Sequence, residues 1–144
     1  MEILPVRQLT MNLVAAELHL SADTCERAAA IVRQTLEKAL QATPDAAARE
    51  LVIEDTVKGA LTALYLADNN LSHGALLVVQ AVLDASAAWT EPPLAMGAAL
   101  KAVADLRRFA APNRLSEIGE QIDVQYMGAG ALFRSILRAT TPAS

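Results

Sequence analysis

Aromatic residues, cysteine and charge are all scarce in this chain of 144 residues. Phe, Trp and Tyr together make up 3%, which argues against a large aromatic-lined ligand pocket. The single cysteine, Cys25, excludes an intramolecular disulfide, and its place on an apolar helix stripe predicts a buried thiol rather than a nucleophile. Neither a secretion signal nor an apolar run long enough to cross a membrane is found. We therefore expect a cytoplasmic protein without a membrane partner.

Alanine and the aliphatic residues take the place of the missing types. Hydrophobic residues make up 53% of the chain, alanine alone about a fifth, and charged residues 19%. An average soluble domain has about 45–50% apolar and about 25% charged residues. This composition favours helices that pack closely through small side chains. It also leaves the surface short of charge, so we expect another subunit to cover part of the apolar surface.

The charged residues are unevenly distributed along the chain. Residues 1–100 carry six basic and twelve acidic side chains, a net charge of −6, whereas residues 101–144 carry six basic and four acidic ones, a net charge of +2. The whole chain has a net charge of −4. Only the C-terminal third is therefore suited electrostatically to an anionic partner.

Four short segments rich in helix-breaking residues divide the chain, at 42–45, 67–70, 90–93 and 110–113. Between them the apolar residues recur at helical spacing, and the segment 72–88 is apolar nearly all round, as in a helix surrounded by others. No polar linker interrupts the pattern. The sequence predicts one all-α domain over 1–144, a bundle of five to six mostly antiparallel helices with 72–88 at its centre.

Three details of this prediction need a structure to settle them. Residues 5–20 have helical spacing but also alternate like a strand, and we favour the helix. Residues 114–139 form either one helix or two, since their glycines predict a break near 123–128. Thr43, followed by Pro44, predicts a helix whose first N–H groups are capped by the Thr43 hydroxyl.

The segment 67–74, ADNNLSHG, contains most of the candidate site chemistry. Asp68, Asn70 and Ser72 have the spacing of the first ligands of a calcium loop, but the glycine and the glutamate that such a loop requires later are absent. A turn between two helices explains more of these residues, with Asn70 or Ser72 as the cap of the second helix. This interpretation places His73 in the first turn of that helix.

A pocket between helices gives one alternative function, that of a small-ligand carrier or an enzyme. His73, Asp68 and His19 are the side chains that we expect to face such a pocket. Neither histidine has the spacing to another His or Glu that places two metal ligands on one helix face. We therefore predict no metal site and no cofactor.

A second alternative comes from residues 113–139, because the stretch 115–138 resembles a helix-turn-helix. The resemblance implies a DNA-binding regulator in which Arg114, Arg134 and Arg138 contact phosphates. It departs from the motif at Asp123, where the turn usually has glycine, and in its would-be recognition helix, which begins with small residues. The residues that match the packing positions of the motif are Ile118, Gly119, Ile122, Val124, Ala129 and Phe133.

The leading hypothesis follows from the excess of apolar surface and from the lack of any convergent polar group in the sequence. We expect a small cytoplasmic helical protein without catalytic activity, which acts through protein–protein contact and forms homodimers. Its partner is a second copy or another protein, and nucleic acid is the partner in the alternative.

Overall fold

Seven α-helices and a 3₁₀ turn are found in the computed structural model, which describes residues 6–18, 24–66, 71–108 and 110–140. No strand occurs within these ranges. The predicted all-α class is confirmed. The helices are α1 (Val6–Leu18), α2 (Thr24–Gln41), α3 (Ala46–Leu66), α4 (Leu71–Ser86), α5 (Pro92–Ala104), α6 (Pro112–Gln125) and α7 (Ala129–Thr140), and the 3₁₀ turn is Asp105–Arg108.

The expected number of five to six helices was too low, because both ambiguous segments form separate helices. Residues 6–18 are helical, as we favoured. The C-terminal segment breaks after Gln125 and resumes at Ala129, which confirms the break predicted near 123–128. Gly128 lies in this break with φ +91°, a left-handed backbone conformation that glycine adopts without a steric penalty.

The start of α3 corrects one detail of the sequence prediction. Its cap is Asp45, whose Oδ2 accepts a hydrogen bond of 2.9 Å from the backbone N–H of Ala48. The Thr43 hydroxyl instead donates a hydrogen bond of 2.6 Å to the Ala39 carbonyl, near the end of α2. Thr43 therefore satisfies a carbonyl of the helix that ends, and Asp45 satisfies an N–H of the helix that begins.

Helix α4 lies at the centre of the fold, as its apolar sequence predicts. It packs against α2, α3, α5 and α6. Helices α2 to α7 and the 3₁₀ turn each contribute at least one large, fully buried side chain to a common core. These side chains are Leu36, Leu40, Ile53, Leu61, Leu64, Leu71, Leu100, Leu106, Ile118, Ile122 and Phe133.

Two glycines allow neighbouring helices to approach closely. A Cβ atom on Gly59 of α3 would overlap the backbone carbonyl oxygen of Arg7, so α1 lies directly on the α3 backbone at this point. A Cβ atom on Gly74 of α4 would lie 2.7 Å from Leu64 Cδ1 and 3.5 Å from Cys25 Sγ. Cys25 is 5% exposed, which confirms that it is a core residue. Small residues therefore set the spacing of these helices.

Arg49 connects two loops at one end of the bundle. Its Nε donates to the Thr43 carbonyl at 2.7 Å and its Nη1 donates to the Trp89 carbonyl at 3.0 Å. The guanidinium carbon also lies 5.5 Å from the centroid of the Trp89 ring, within the range of a cation–π contact. One side chain thus holds the α2–α3 loop beside the α4–α5 loop.

The close approach at Gly59 gives a stability prediction with an internal control. Gly59→Ala forces α1 away from α3, and we expect it to lower the free energy of unfolding by about 1–3 kcal/mol, the usual penalty of overpacking. A Cβ atom on Gly97, in α5, would meet no other atom within 4 Å. Gly97→Ala should therefore raise the free energy of unfolding by about 0.5–1 kcal/mol. Urea unfolding of both variants tests the prediction, and equal effects of the two would contradict it.

Candidate functional site

The histidine predicted to face a ligand pocket lies on the surface. His73 is exposed in the first turn of α4, which is where the sequence placed it. Three surface depressions are formed by described residues, and His73 lines none of the three. Asp68 and His19 lie outside the described residues. The pocket expected for these three side chains therefore stays a prediction.

Ser72, a candidate cap of α4, has a different role. It is buried, and its hydroxyl donates a hydrogen bond of 3.2 Å to Glu117 Oε1 on α6. Helix α4 begins at Leu71, so the capping position falls on Asn70, which is outside the described residues. Within those residues, no three His, Cys, Asp or Glu side chains come together as a metal site requires. The bond from Ser72 instead joins α4 to α6.

A short turn joins α6 to α7, and the side chain of Asp123 stabilises that turn. Its Oδ1 accepts hydrogen bonds from the backbone N–H groups of Gly128 and Gly130, each 3.1 Å long. A Cβ atom on Gly130 would lie 2.7 Å from Asp123 Cβ, so glycine is needed for this approach. The residue that departs from the helix-turn-helix pattern is therefore the cap of α7.

Five of the six residues that the helix-turn-helix resemblance assigns to packing are buried. Ile118, Gly119, Ile122, Ala129 and Phe133 are buried, and a Cβ atom on Gly119 would lie 3.0 Å from the Phe133 ring. Val124 was expected to pack as well, but it is 89% exposed. The interpretation of Val124 as a packing residue was wrong, because Val124 lies two residues after the buried Ile122 and therefore on the opposite face of α6.

The three arginines predicted to contact phosphates are all exposed. Arg134 and Arg138 lie one turn apart on α7, and Arg114 lies in the first turn of α6. Arg107, in the 3₁₀ turn, donates to the Leu137 carbonyl at 3.4 Å and so adds a cation to Arg134 and Arg138 near the end of α7. A basic surface exists at the C-terminal end of α7.

The α6–α7 turn exposes two large apolar side chains, which we call the apolar tip: Val124, 89% exposed, and Met127, 97% exposed. They have the highest exposure of the large hydrophobic residues that the structure describes. The helix-turn-helix resemblance assigned Val124 to a packing position, and the sequence gave no orientation for Met127. The signal that could have found them was a methionine directly before Gly128, where the helix breaks.

A groove runs along the outer surface between α2 and α4. Its volume is about 190 Å³ and it is open to solvent. Cys25 of α2 lies beside Gly74 of α4, and the groove is lined by later residues of both helices, Glu26–Arg33 and Leu77–Asp84. The two helices therefore run in the same direction. The floor consists of the small or apolar residues Ala29, Ala30, Leu77 and Ala81, and the rim consists of the polar residues Glu26, Arg33, Gln80 and Asp84. We call this depression the α2–α4 groove.

Asp84 connects the groove to the apolar tip. Helix α6 lies along α4, beginning at the bond between Ser72 and Glu117, and both helices end near Asp84 and Tyr126. Partial burial, together with the negative charge of Asp84, raises the pKa of the Tyr126 phenol above its ordinary value of 10.0. Tyr126 directly precedes Met127 in the sequence.

The other two depressions have no comparable apolar floor. One, of about 180 Å³, lies between α3, α5 and the 3₁₀ turn, where Lys58 pairs with Glu54 at 2.8 Å. The two residues lie one helical turn apart on α3, the spacing at which such pairs form. The other, of about 380 Å³, is an open concavity along the α4–α5 loop beside Trp89.

The proximity of Asp84 and Tyr126 can be measured directly. Asp84→Asn removes the negative charge, so we expect the pKa of Tyr126 to fall towards 10.0 while the contribution of burial is retained. Phenolate absorbance in a Tyr65→Phe background isolates the titration of Tyr126. The control is Glu120→Gln, which removes the charge of an exposed carboxylate on α6. The raised pKa also predicts that stability declines as the pH rises above 10.0, because the unfolded chain loses that proton first.

The role of Asp123 gives a second prediction. Asp123→Ala leaves two backbone N–H groups at the start of α7 without an acceptor, and we expect the free energy of unfolding to fall by about 0.5–2 kcal/mol. Asp123→Asn retains an acceptor oxygen and should recover most of the loss. Urea unfolding tests the pair, with Glu120→Ala as the control. Equal losses for the alanine and asparagine variants would contradict a capping role.

None of the described helices combines the length and the apolar character needed to cross a membrane. Comparison of the chain with protein-family models, with curated proteins and with solved structures finds no match. The residues and their geometry are therefore the basis for the functional proposals below.

Proposed function

We propose that this chain is a non-catalytic protein–protein interaction module that self-associates as a homodimer in the cytoplasm. The observation that carries the proposal is the apolar tip, where Val124 and Met127 are 89% and 97% exposed. Burying a side chain of this size is worth about 1.5–3 kcal/mol. Two such side chains beside one another favour association with a surface that removes them from water.

The remaining exposed apolar residues support the same proposal. Soluble proteins expose single leucines without any functional reason. In this chain several helices expose large hydrophobic side chains. Charged residues make up only 19% of the chain, and the polar surface is correspondingly small. The other exposed large hydrophobic residues are Leu9, Leu13, Leu51, Tyr65, Leu66, Leu94 and Leu132.

The chemistry of the depressions supports a non-catalytic role. The floor of the α2–α4 groove consists of alanine and leucine side chains, which cannot transfer protons or attack a substrate. Lys58 and Glu54, in the groove beside α5, neutralise each other in an ion pair. The Cys25 thiol is buried in the core, as suits a structural cysteine in a reducing compartment.

Sedimentation velocity over a range from low micromolar to several hundred micromolar tests the self-association. We expect a weight-average mass that rises with concentration towards twice the chain mass of 15.2 kDa. The double variant Val124→Ser, Met127→Ser should shift this transition to higher concentration. A monomer over the whole range would contradict the proposal.

A DNA-binding regulator is the second candidate, favoured by one observation. Helices α6 and α7 are joined by a short turn, as in a helix-turn-helix, and α7 exposes Arg134 and Arg138. Retention on immobilised DNA that falls steeply with salt would support this function. The double variant Arg134→Gln, Arg138→Gln should reduce that retention, whereas Arg33→Gln on α2 should not. No retention at low salt would exclude it.

A further inference from the structure

We infer that a basic surface at one end of the bundle binds the phosphate backbone of double-stranded nucleic acid without reading its base sequence. The inference rests on the DNA-binding candidate and replaces its helix-turn-helix contact with a surface built from α5, the 3₁₀ turn and α7. The cations of this surface, which we call the basic surface, are Lys101, Arg107, Arg108, Arg134 and Arg138.

Arg107 connects the two parts of the basic surface. Together with Lys101 it lines the groove of about 180 Å³ between α3, α5 and the 3₁₀ turn. Its Nη1 also donates to the Leu137 carbonyl at 3.4 Å, beside Arg138. Arg134 precedes Arg138 by one helical turn, so both exposed guanidinium groups lie on the same face of α7. The groove and the end of α7 therefore form one connected surface.

Cations outnumber carboxylates on this surface. Six cations and two carboxylates line the groove or belong to the 3₁₀ turn and α7. Both carboxylates have cationic partners, because Glu54 lies 2.8 Å from Lys58 and Asp105 lies 3.4 Å from Arg108. Helix α7 has no acidic residue. An excess of four positive charges is therefore concentrated here, in a chain whose net charge is −4.

The carboxylates of α6 lie towards the other end of α7 or contact α4. Asp123 caps the start of α7, whereas Arg138 lies in its last turn, about 12 Å further along the helix. Glu120 lies one turn before Asp123, and Glu117 accepts the hydrogen bond from Ser72 on α4. Exposed charges farther apart than about 8 Å are largely screened at physiological ionic strength. The acidic residues elsewhere in the chain therefore do not cancel the basic surface.

Four of the five cations are arginines, which suits phosphate as the ligand. A guanidinium group presents its N–H donors in one plane, binds two phosphate oxygens at once and keeps its charge at physiological pH. The cations are spread over three elements of the fold, so they match a row of phosphates rather than a single small anion. The backbone of a nucleic acid supplies such a row.

The start of α7 offers no group that reads base edges. In a helix-turn-helix the first turns of the second helix enter the major groove and form hydrogen bonds with the bases. The exposed residues there, Ala131 and Leu132, have no hydrogen-bonding side chain, and Asp123 places a carboxylate at the turn. Contacts with phosphates position a protein without specifying a sequence. We therefore expect binding without base preference.

The side chains of the basic surface favour a duplex over a single strand or a membrane. Single strands bind through bases that stack on aromatic side chains, and none of the five cations' described neighbours in the groove is aromatic. Helices that bind membrane surfaces insert large apolar side chains into the lipid. The large apolar neighbours of Arg138, which are Ile136 and Leu137, are instead partly buried against the core.

Fluorescence anisotropy with short DNA duplexes of two unrelated sequences tests the inference on the full chain. We expect the two dissociation constants to agree within about twofold, because phosphate contacts carry no sequence information. The logarithm of the association constant should fall with the logarithm of the salt concentration, with a slope of about −3 to −4, as expected when four cations contact phosphates.

Lys101→Gln is the most informative variant, because Lys101 lies on α5 and outside the helix-turn-helix resemblance. We expect it to weaken binding about threefold to tenfold and to make the salt slope shallower by about 1, whereas Lys101→Arg should retain the affinity. Arg33→Gln, which removes an arginine of α2, is the control and should change neither quantity. Lys101 and Arg33 are both exposed, so neither replacement should disturb the fold.

The outcomes separate the inference from the DNA-binding candidate. A preference of about tenfold or more for one sequence, with no effect of Lys101→Gln, would overturn the inference and leave the candidate standing. Equal losses for Lys101→Gln and Arg33→Gln would also overturn the inference, because binding would then follow the total charge alone. No binding to either duplex at low salt would exclude both. Vesicles of anionic phospholipid are a parallel probe, and binding to these vesicles but not to DNA would likewise exclude both.

Discussion

The contact of α1 with the backbone of α3 at Gly59 shows the constraint that governs the whole bundle. With few aromatic residues, the helices approach one another through glycine and alanine, and aliphatic side chains fill what remains. Gly74 has the same role between α4 and its neighbours, Leu64 and Cys25. Packing of this kind tolerates little change in volume, because an added methyl group meets backbone or a tightly packed side chain.

Small residues also create a groove on the surface. Where Ala29, Ala30 and Ala81 line the space between α2 and α4, there is no large side chain to fill it. A groove with an alanine floor is the result. The apolar tip has a separate local cause, since Val124 lies on the face of α6 opposite to the buried Ile122 and Met127 lies in the break beside Gly128.

Helical periodicity predicted the fold class and most buried positions, because burial on an amphipathic helix repeats with the helix turn. The buried stripe of α3, from Ile53 to Leu64, and the core position of Cys25 are examples.

Periodicity could not predict features that depend on a single boundary. The cap of α3 is Asp45 rather than Thr43, because the helix begins two residues later than predicted. Val124, which the helix-turn-helix resemblance assigned to packing, is exposed because it lies on the face of α6 opposite to the buried Ile122. Asp123 was noted only as a departure from a pattern, since its partners, Gly128 and Gly130, are brought to it by the turn. The groove needs two helices that are not consecutive in sequence, so no local pattern predicts it.

The methyl signal of Met127 tests the central claim most directly, because it reports on the tip itself without any change to the protein. Methyl-labelled methionine can be followed by NMR as the protein is diluted, with the partly buried Met11 and Met96 as references within the same molecule. The account predicts that the Met127 signal shifts with concentration towards a value typical of an apolar environment, while the signals of Met11 and Met96 stay in place. A Met127 signal that keeps its solvent-exposed position at concentrations where the protein is dimeric would contradict it.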